Sequence, residues 1–392
     1  MKQFYIISIL RGIIIGLYAP IWILSLYHAG YNLFWLGVIG TIFEIMKLIF
    51  EIPSGAIADK LGVKFNLLGS FICLSLTWLL FPFASHISVL LLLLLTWTIS
   101  ESAFSGTFES WLSHSIPTHT FSQAMFNNTK IFIFFIILTS PLSGYLYQMH
   151  HYIPFVLAGV LAVILTVYML FFVKVQPMNQ TSTSQQSESI FTIIKHAIVV
   201  LFKSKRAFNI IIASFFFAFI IDAIDRYWQP YFQDIGISTH LFGWSTTIGG
   251  FILLIVLHLF SKYDAHFNKL PEMYHGLITC LTIILIFLLA IGKKILTFIS
   301  ISLVTVVDDL MNTFINNALN QEMRQQTSSM ATIFSLNGAF GAMGEVLSGI
   351  IFGLIISQLD YQYTFVLCGI ILFIPLLLYI LNIKILLKRK SV

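Results

Sequence analysis

The residues able to carry chemistry in this sequence are charges set inside long apolar runs. Nine acids lie there: Glu44, Glu51, Glu101, Glu109, Asp222, Asp225, Asp308, Asp309 and Glu345. Four bases accompany them: Arg11, Lys47, Lys130 and Arg226. A charge at mid-bilayer costs at least about 2.5–3.5 kcal/mol on insertion scales, so such groups face a bundle interior or a water-filled cavity. Nine acids against four bases is too lopsided for ion pairing throughout. Either some carboxyls hold protons or a cation shares the space, and both alternatives point to protons or cations handled within a membrane.

The spacings sort these residues. Glu44, Lys47 and Glu51 stand at i, i+3 and i+7, on one helical face where Lys47 can pair with either acid. Lys47–Glu51 is the expected pair, which leaves Glu44, nearer mid-depth, as a coupling candidate. Glu101 and Glu109 share a face at i, i+8 with Ser102, Ser105 and Gly106, a strip polar enough to line water. Asp222 and Arg226 form an i, i+4 pair, with Asp225 left over. Asp309, Asn312, Asn316 and Asn320 make a polar stripe at i, i+3, i+7 and i+11, read as cavity lining rather than core. Asp308 falls at the same depth in its helix as Glu101. Asn337 and Glu345 stand among Gly338, Gly341, Gly344 and Gly349, which let helices approach or bend. Arg11 is read as structural, snorkelling inward. Lys130, in span 5, is open to the same structural reading or to a functional one.

The elements that position these groups follow from composition. Of 392 residues, 58% are hydrophobic and 9% charged, against roughly 25% charged in soluble domains. That excludes a solvated globule, a disordered chain and a coiled coil. Three cysteines, Cys73, Cys280 and Cys368, are too few and too far apart for a disulfide framework or a cysteine metal site. A helix needs about 20 apolar residues to cross a bilayer. Twelve such segments run approximately 4–27, 34–58, 65–84, 88–112, 120–147, 152–173, 207–231, 240–261, 272–291, 295–318, 328–357 and 362–384. Met1 and Lys2 lead straight into the first with no small-residue cleavage site, so it is read as a span and not a signal peptide. Aromatics toward the outer halves of their spans (Tyr18, Trp22, Tyr27, Trp35, Tyr227 and Trp228) are read as interfacial anchors.

With both termini cytoplasmic, the inner loops and tails hold fifteen Lys/Arg residues and the outer loops two, Lys293 and Lys294. That is a strong positive-inside pattern. The longest connection, 174–206, opens with a polar linker and continues into an apolar stretch, Ile190–Phe202, expected to be an interfacial helix. The expected organisation is therefore a six-helix half over 1–173, a cytoplasmic linker over 174–206, and a second six-helix half with a basic tail over 207–392.

Between spans 2 and 3 lies Gly55-Ala-Ile-Ala-Asp59-Lys60-Leu-Gly62-Val-Lys64. This resembles the signature of the major facilitator superfamily, G-x-x-x-D-[RK]-x-G-x-[RK], at every fixed position, and it falls in the expected loop of a six-plus-six chain. The resemblance implies an all-α polytopic membrane protein with twelve transmembrane helices in two six-helix halves. It also implies that Gly55, Asp59, Lys60, Gly62 and Lys64 form a cytoplasmic gate motif during alternating access. The corresponding loop of the second half, Ser261 to Lys269, lacks the glycines. Span 5 carries Pro141 and Gly144 of the antiporter motif G-x-x-x-G-P-x-x-G-G and nothing more of it. The basic residue of span 4 in many relatives is absent here, with acids in that helix instead.

The expectation is a secondary active transporter resembling bacterial drug/proton antiporters, a monomer in the cell membrane. It would export a lipophilic or cationic small molecule, driven by the proton gradient with no other cofactor and no metal. Its coupling and cavity residues would be Glu44, Glu101, Asp222, Asp225, Asp308, Asp309, Asn312, Asn316, Asn337 and Glu345, with Lys47, Glu51 and Arg226 in ion pairs. A lipid-linked or sugar-like substrate, moved by a flippase or symporter of the same fold, is the alternative. Neither H-E-x-x-H nor a Walker A motif occurs, which argues against a membrane metalloenzyme and against ATP drive within this chain. The charges punctuate apolar runs rather than form a basic patch, so nucleic acid is not an expected partner.

Overall fold

A computed structural model describes residues 2–104, 107–115, 118–173, 199, 201, 203–262, 271–323 and 330–390. The described residues are helical almost throughout. In chain order the helices are α1 (Lys2–Tyr18), α2 (Trp22–His28), α3 (Leu33–Leu61), α4 (Val63–Leu80), α5 (Ile87–Phe104), α6 (Thr107–Ser115), α7 (Thr118–Met149) and α8 (Ile153–Phe171). Then come α9 (Lys205–Asp234), α10 (Phe242–Lys262), α11 (Pro271–Ala290), α12 (Lys294–Met323), α13 (Met330–Gln358), α14 (Tyr361–Ile371) and α15 (Phe373–Lys390).

Eleven spans among the described residues are long and apolar enough to cross a bilayer. The twelfth of the expected set is α12, whose apolar part is Lys294–Val304 before Asp308, Asp309 and the asparagines begin. At 1.5 Å per residue, its 30 residues reach about 45 Å, ample for about 30 Å of hydrocarbon. Its length is therefore sufficient to span despite the polar second half.

Helix faces show why these segments tolerate lipid. On α7, Phe134, Leu138 and Leu142 follow at i, i+4 and i+8 and are all exposed. The opposite face buries Ile137, Ser140 and Ser143. On α8, Val156, Val160, Val163 and Val167 point outward, while Phe155, Ala158, Ala162, Leu165 and Met169 are buried. Such apolar stripes would aggregate in water; in a bilayer they meet acyl chains.

The helices form two compact units. One comprises Met1–Gln180 with Gln229–Phe251, the other Thr181–Trp228 with Ile252–Val392. In the first, α1 packs along α7 and α8, and α4 along α5 and α8. In the second, α11 is the hub for α12, α14 and α15. The end of α9 and the first part of α10, to Phe251, thus pack with the first unit, although they follow the long linker.

Three details depart from the sequence reading. Span 1 is not one rod: it stops at Tyr18 and restarts at Trp22 around Pro20, which has no N–H to continue the ladder. The turn between spans 2 and 3 is shorter than expected, because α3 runs to Leu61 and α4 begins at Val63. Gly62 alone makes that turn at φ +92°, a conformation costly for any residue with a Cβ. Finally, Tyr18, Tyr227 and Trp228 are buried rather than interfacial. Tyr18 stacks on Trp78 at 3.6 Å, and Trp97 meets Trp22 and Phe43 at 5.0 and 4.7 Å. Trp35 is exposed, as an anchor requires. The stretch expected as an interfacial helix, 190–202, lies outside the described residues apart from Val199 and Leu201.

Candidate functional site

In the first unit the polar centre is built on α1 and α5. Ser8 and Arg11, one turn apart on α1, are both buried. Ser8 Oγ donates to Asn128 Oδ1 on α7 at 3.0 Å. Arg11 Nη2 reaches both carboxylate oxygens of Glu101 on α5, at 3.1 and 2.9 Å. The Arg11 guanidinium carbon also lies 3.5 Å from the centroid of the Phe104 ring, a cation–π contact one helical turn from its acid. Arg11 is 6% exposed, so it does not snorkel. It spends its charge across the bundle on Glu101, and the Glu101 side chain keeps 27% of its surface open. Sequence reading missed this pair because 90 positions separate its members; only an arginine on a helix that packs against α5 could have suggested it.

On α3, Lys47 pairs with Glu44, Nζ to Oε2 at 3.6 Å. The expected partner was Glu51, whose side chain lies outside the described residues.

In the second unit, Arg226 Nε donates to Asp222 Oδ2 at 2.5 Å along α9, and its Nη2 reaches the Glu345 carbonyl oxygen on α13 at 3.4 Å. Glu345 is half-buried and Asp225 is exposed. Asn337 on α13 is buried, and its Oδ1 has no hydrogen-bond partner. Asp308, Asp309, Asn312 and Asn316 lie on α12 and Glu109 on α6; their side chains lie outside the described residues.

Of the gate motif, Gly55, Asp59 and Lys60 lie on the last turns of α3, with side chains outside the described residues. Gly62 makes the turn, and Lys64 Nζ donates to the Leu170 carbonyl at 2.9 Å, tying the start of α4 to the end of α8.

The span 5 motif residues mark a tight seam in the first unit. Pro141 has no N–H, so the carbonyl of Ile137, four residues back, loses its helical partner. Thr247 on α10 supplies the missing donor, Oγ1 to Ile137 O at 2.8 Å. One turn along, Gly243 rests against the Ser140 carbonyl, with no room for a Cβ. The break in span 1 is closed from α9: Gln229 Oε1 accepts from the Leu24 N–H at 3.0 Å, and its Nε2 donates to the Ala19 carbonyl at 2.9 Å. One side-chain amide thereby satisfies a backbone group on each side of the break.

A second polar cluster, which sequence reading assigned to loops, is buried in the second unit. Arg206 bridges Glu272 on α11 and Glu322 on α12, the latter at 3.1 Å. Nothing in the sequence separated Arg206 from the neighbouring Lys203 and Lys205.

Helices of this number and arrangement, with charges held inside them, define a polytopic membrane transporter. The family model of the Major Facilitator Superfamily matches residues 4–344, and the chain belongs to that family. An uncharacterised MFS-type transporter of Bacillus subtilis, YxaM, is 36% identical over 386 residues, covering 98% of this chain and 96% of its own. The quinolone resistance protein NorA of Staphylococcus aureus is 22% identical over 342 residues, covering 86% and 85%. Among solved structures, a bacterial homologue of the human lysosomal transporter Spinster superposes with TM-score 0.75 at 13% identity, covering 99% and 97%. The nucleoside transporter NupG superposes with TM-score 0.71 at 16% identity, covering 98% of each chain.

Proposed function

We propose that this protein is a proton-coupled secondary transporter of the cell membrane, exporting a lipophilic or cationic small molecule by alternating access of its two halves. The observation that carries this reading is the arginine–carboxylate pair inside the apolar part of each unit, Arg11–Glu101 and Arg226–Asp222. A carboxylate held by a guanidinium is an exchange point: a proton or a cationic substrate that takes the carboxylate frees the arginine, and departure of either restores the pair. Such an exchange couples two ligands without ATP. Similarity to a drug-resistance protein favours export, and the basic inner loops favour cytoplasmic termini.

The mechanism follows from the geometry of each pair. Glu101 keeps an open face while Arg11 is enclosed, so a ligand reaches the acid before the base. Proton transfer to Glu101 leaves a neutral carboxylic acid and a guanidinium still held over Phe104. That local gain of positive charge disfavours a second cation in the same place, which is the condition for antiport.

The test is a proteoliposome assay. With a pH gradient imposed, addition of lipophilic cationic drugs should dissipate it in a saturable, protein-dependent manner. If no cation does so while a sugar-like or lipid-linked compound moves, the export reading fails and the alternative substrate class replaces it.

A further inference from the structure

At the end of the first unit opposite the basic loops, the connections 29–32, 81–86, 150–152 and 235–241 contain no Lys, Arg, Asp or Glu. Five of the chain's eleven histidines stand in or beside them: His28, His86, His150, His151 and His240. The groups that gain charge near neutral pH at this end are therefore imidazoles. The positive-inside pattern places the end outside the cell, and only that placement rests on the orientation proposed above.

Two of these rings are brought together. His28 ends α2, and His151 lies in the turn between α7 and α8. Their ring centroids are 6.0 Å apart at 81°. Tyr147, near the end of α7, sits against both. Its hydroxyl is 2.9 Å from His28 Nδ1, and its ring stacks on His28 at 6.0 Å and meets the His151 ring edge-on at 4.8 Å. Tyr147 is buried, whereas His28 and His151 are open to solvent. Protons thus reach the imidazoles while the phenol fixes where they stand.

The surroundings supply no counter-charge. On α2, Tyr27 donates its hydroxyl to both oxygens of Asp234, the acid at the end of α9, at 3.3 Å. On α7, the Gln148 amide turns to Ser238 and His240. In the turn before α8, His150 lies 5.0 Å from the Tyr152 ring, and its Nδ1 accepts from the Tyr152 N–H at 3.4 Å. From α8, Phe155 offers its ring to Tyr147 at 6.4 Å. His86 is exposed in its own connection. Among the described residues no carboxylate pairs with His28 or His151, and the two lie within electrostatic reach of each other. Neutral, the rings pack as uncharged aromatics around a hydrogen-bonded phenol. Protonated, they are two like charges about 6 Å apart, and they repel. The element that bears this load is short: α2 has seven residues and follows the break at Pro20.

We propose that His28 and His151, held about Tyr147, are a proton-binding latch: neutral, they keep the end of α2 against α7 and the turn before α8, and protons taken up from this side part the rings and release it.

The test is made on the purified full chain in detergent, by melting and by hydrogen exchange at about pH 5 and about pH 8, on either side of the ordinary imidazole value. Unfolding separates the rings, so the unfolded chain takes the second proton more readily than the folded pair. The stability that the pair contributes is therefore full above about 6.5 and is lost as pH falls. His151→Gln and His28→Asn each remove one of the two charges, so both variants should lose that part of the slope. The double variant should lose no more than either single one, because the repulsion needs both rings. His86→Gln, at an exposed histidine of the same end, is the control and should keep the wild-type slope. Exchange over residues 22–31, corrected for the intrinsic effect of pH, should accelerate in acid by between about threefold and about a hundredfold. That range is the repulsion of two charges about 6 Å apart in water-like and in protein-surface surroundings. In His151→Gln the corrected exchange should not change with pH. Wild-type slopes in both single variants overturn the proposal, as does wild-type exchange over α2 that ignores pH. His151 is exposed, so its replacement leaves folding intact; a His151→Gln chain that fails to fold makes the ring structural and overturns the proposal too. Neither readout involves transport or the sidedness of the membrane, so the result is separable from the export reading.

Discussion

Thr247 Oγ1 donates a 2.8 Å hydrogen bond to the carbonyl of Ile137, the group that Pro141 leaves without its partner in α7. A proline in a transmembrane helix is tolerated when a neighbour re-satisfies the freed carbonyl, and here the neighbour is a single hydroxyl on α10. Thr247→Val keeps the shape and removes the donor. It should cost about 1–3 kcal/mol, the penalty of a buried acceptor left unmade, and lower the thermal midpoint in detergent. A Thr247→Ser variant should retain wild-type stability; equal loss in both variants would show that the hydroxyl is not what matters.

Gly243 makes the same seam close. Its α-carbon faces the Ser140 carbonyl, where a methyl group has no space. Gly243→Ala must push α10 away from α7 and should cost about 1–3 kcal/mol as an overpacking defect. Gly338→Ala, at an open position on α13, is the control and should be near neutral by the same melting assay.

Gln229 bridges the interruption of span 1 with both ends of its amide. Gln229→Ala strands the Ala19 carbonyl and the Leu24 N–H together. The expected loss is about 1–3 kcal/mol for each group left bare, and hydrogen exchange at the Leu24 amide should accelerate accordingly. Unchanged exchange at that amide would remove the clamp from the account.

Arg11 and Glu101 should behave as one unit. Glu101→Gln leaves a buried guanidinium with weakened compensation, and Arg11→Met leaves the acid, while the double variant removes both. A double-mutant cycle on thermal stability should give a coupling of about 1.5–3 kcal/mol, the range for hydrogen bonds to charged groups. Additive effects would mean that the pair is not energetically real.

For coupling, neutralising Glu44, Glu101, Asp222 and Asp308 one at a time should separate acids that move protons from acids that hold helices. At least one of these variants should retain drug-driven flux down a gradient yet lose accumulation against it. If all four still pump uphill, carboxylates of the spans are not the coupling groups.

Much of this molecule was legible in one dimension because a membrane imposes one-dimensional rules. Length and apolarity located the spans, and the spacing of Gly55, Asp59, Lys60, Gly62 and Lys64 pointed to the family. The i, i+4 relation of Asp222 and Arg226 is local, so spacing sufficed to bring them within reach. The relation of Arg11 to Glu101 is not local, and charge bookkeeping along the chain read Arg11 as a structural, snorkelling residue instead. Arg206 was hidden differently: among Lys203, Lys205 and its own positive charge, the pattern read as a loop, while the fold draws the guanidinium inside.

The sequence by itself determined the solvent, the number of crossings and which types of charge must persist among them. Those follow from the transfer cost of each residue to hydrocarbon, a property the chain carries before it folds. Only the tertiary structure decided which charge meets which. Pairing energies depend on distances between helices, and those distances are set by small residues, broken spans and freed carbonyls that find their partners once α1 lies on α7 and α11 on α12.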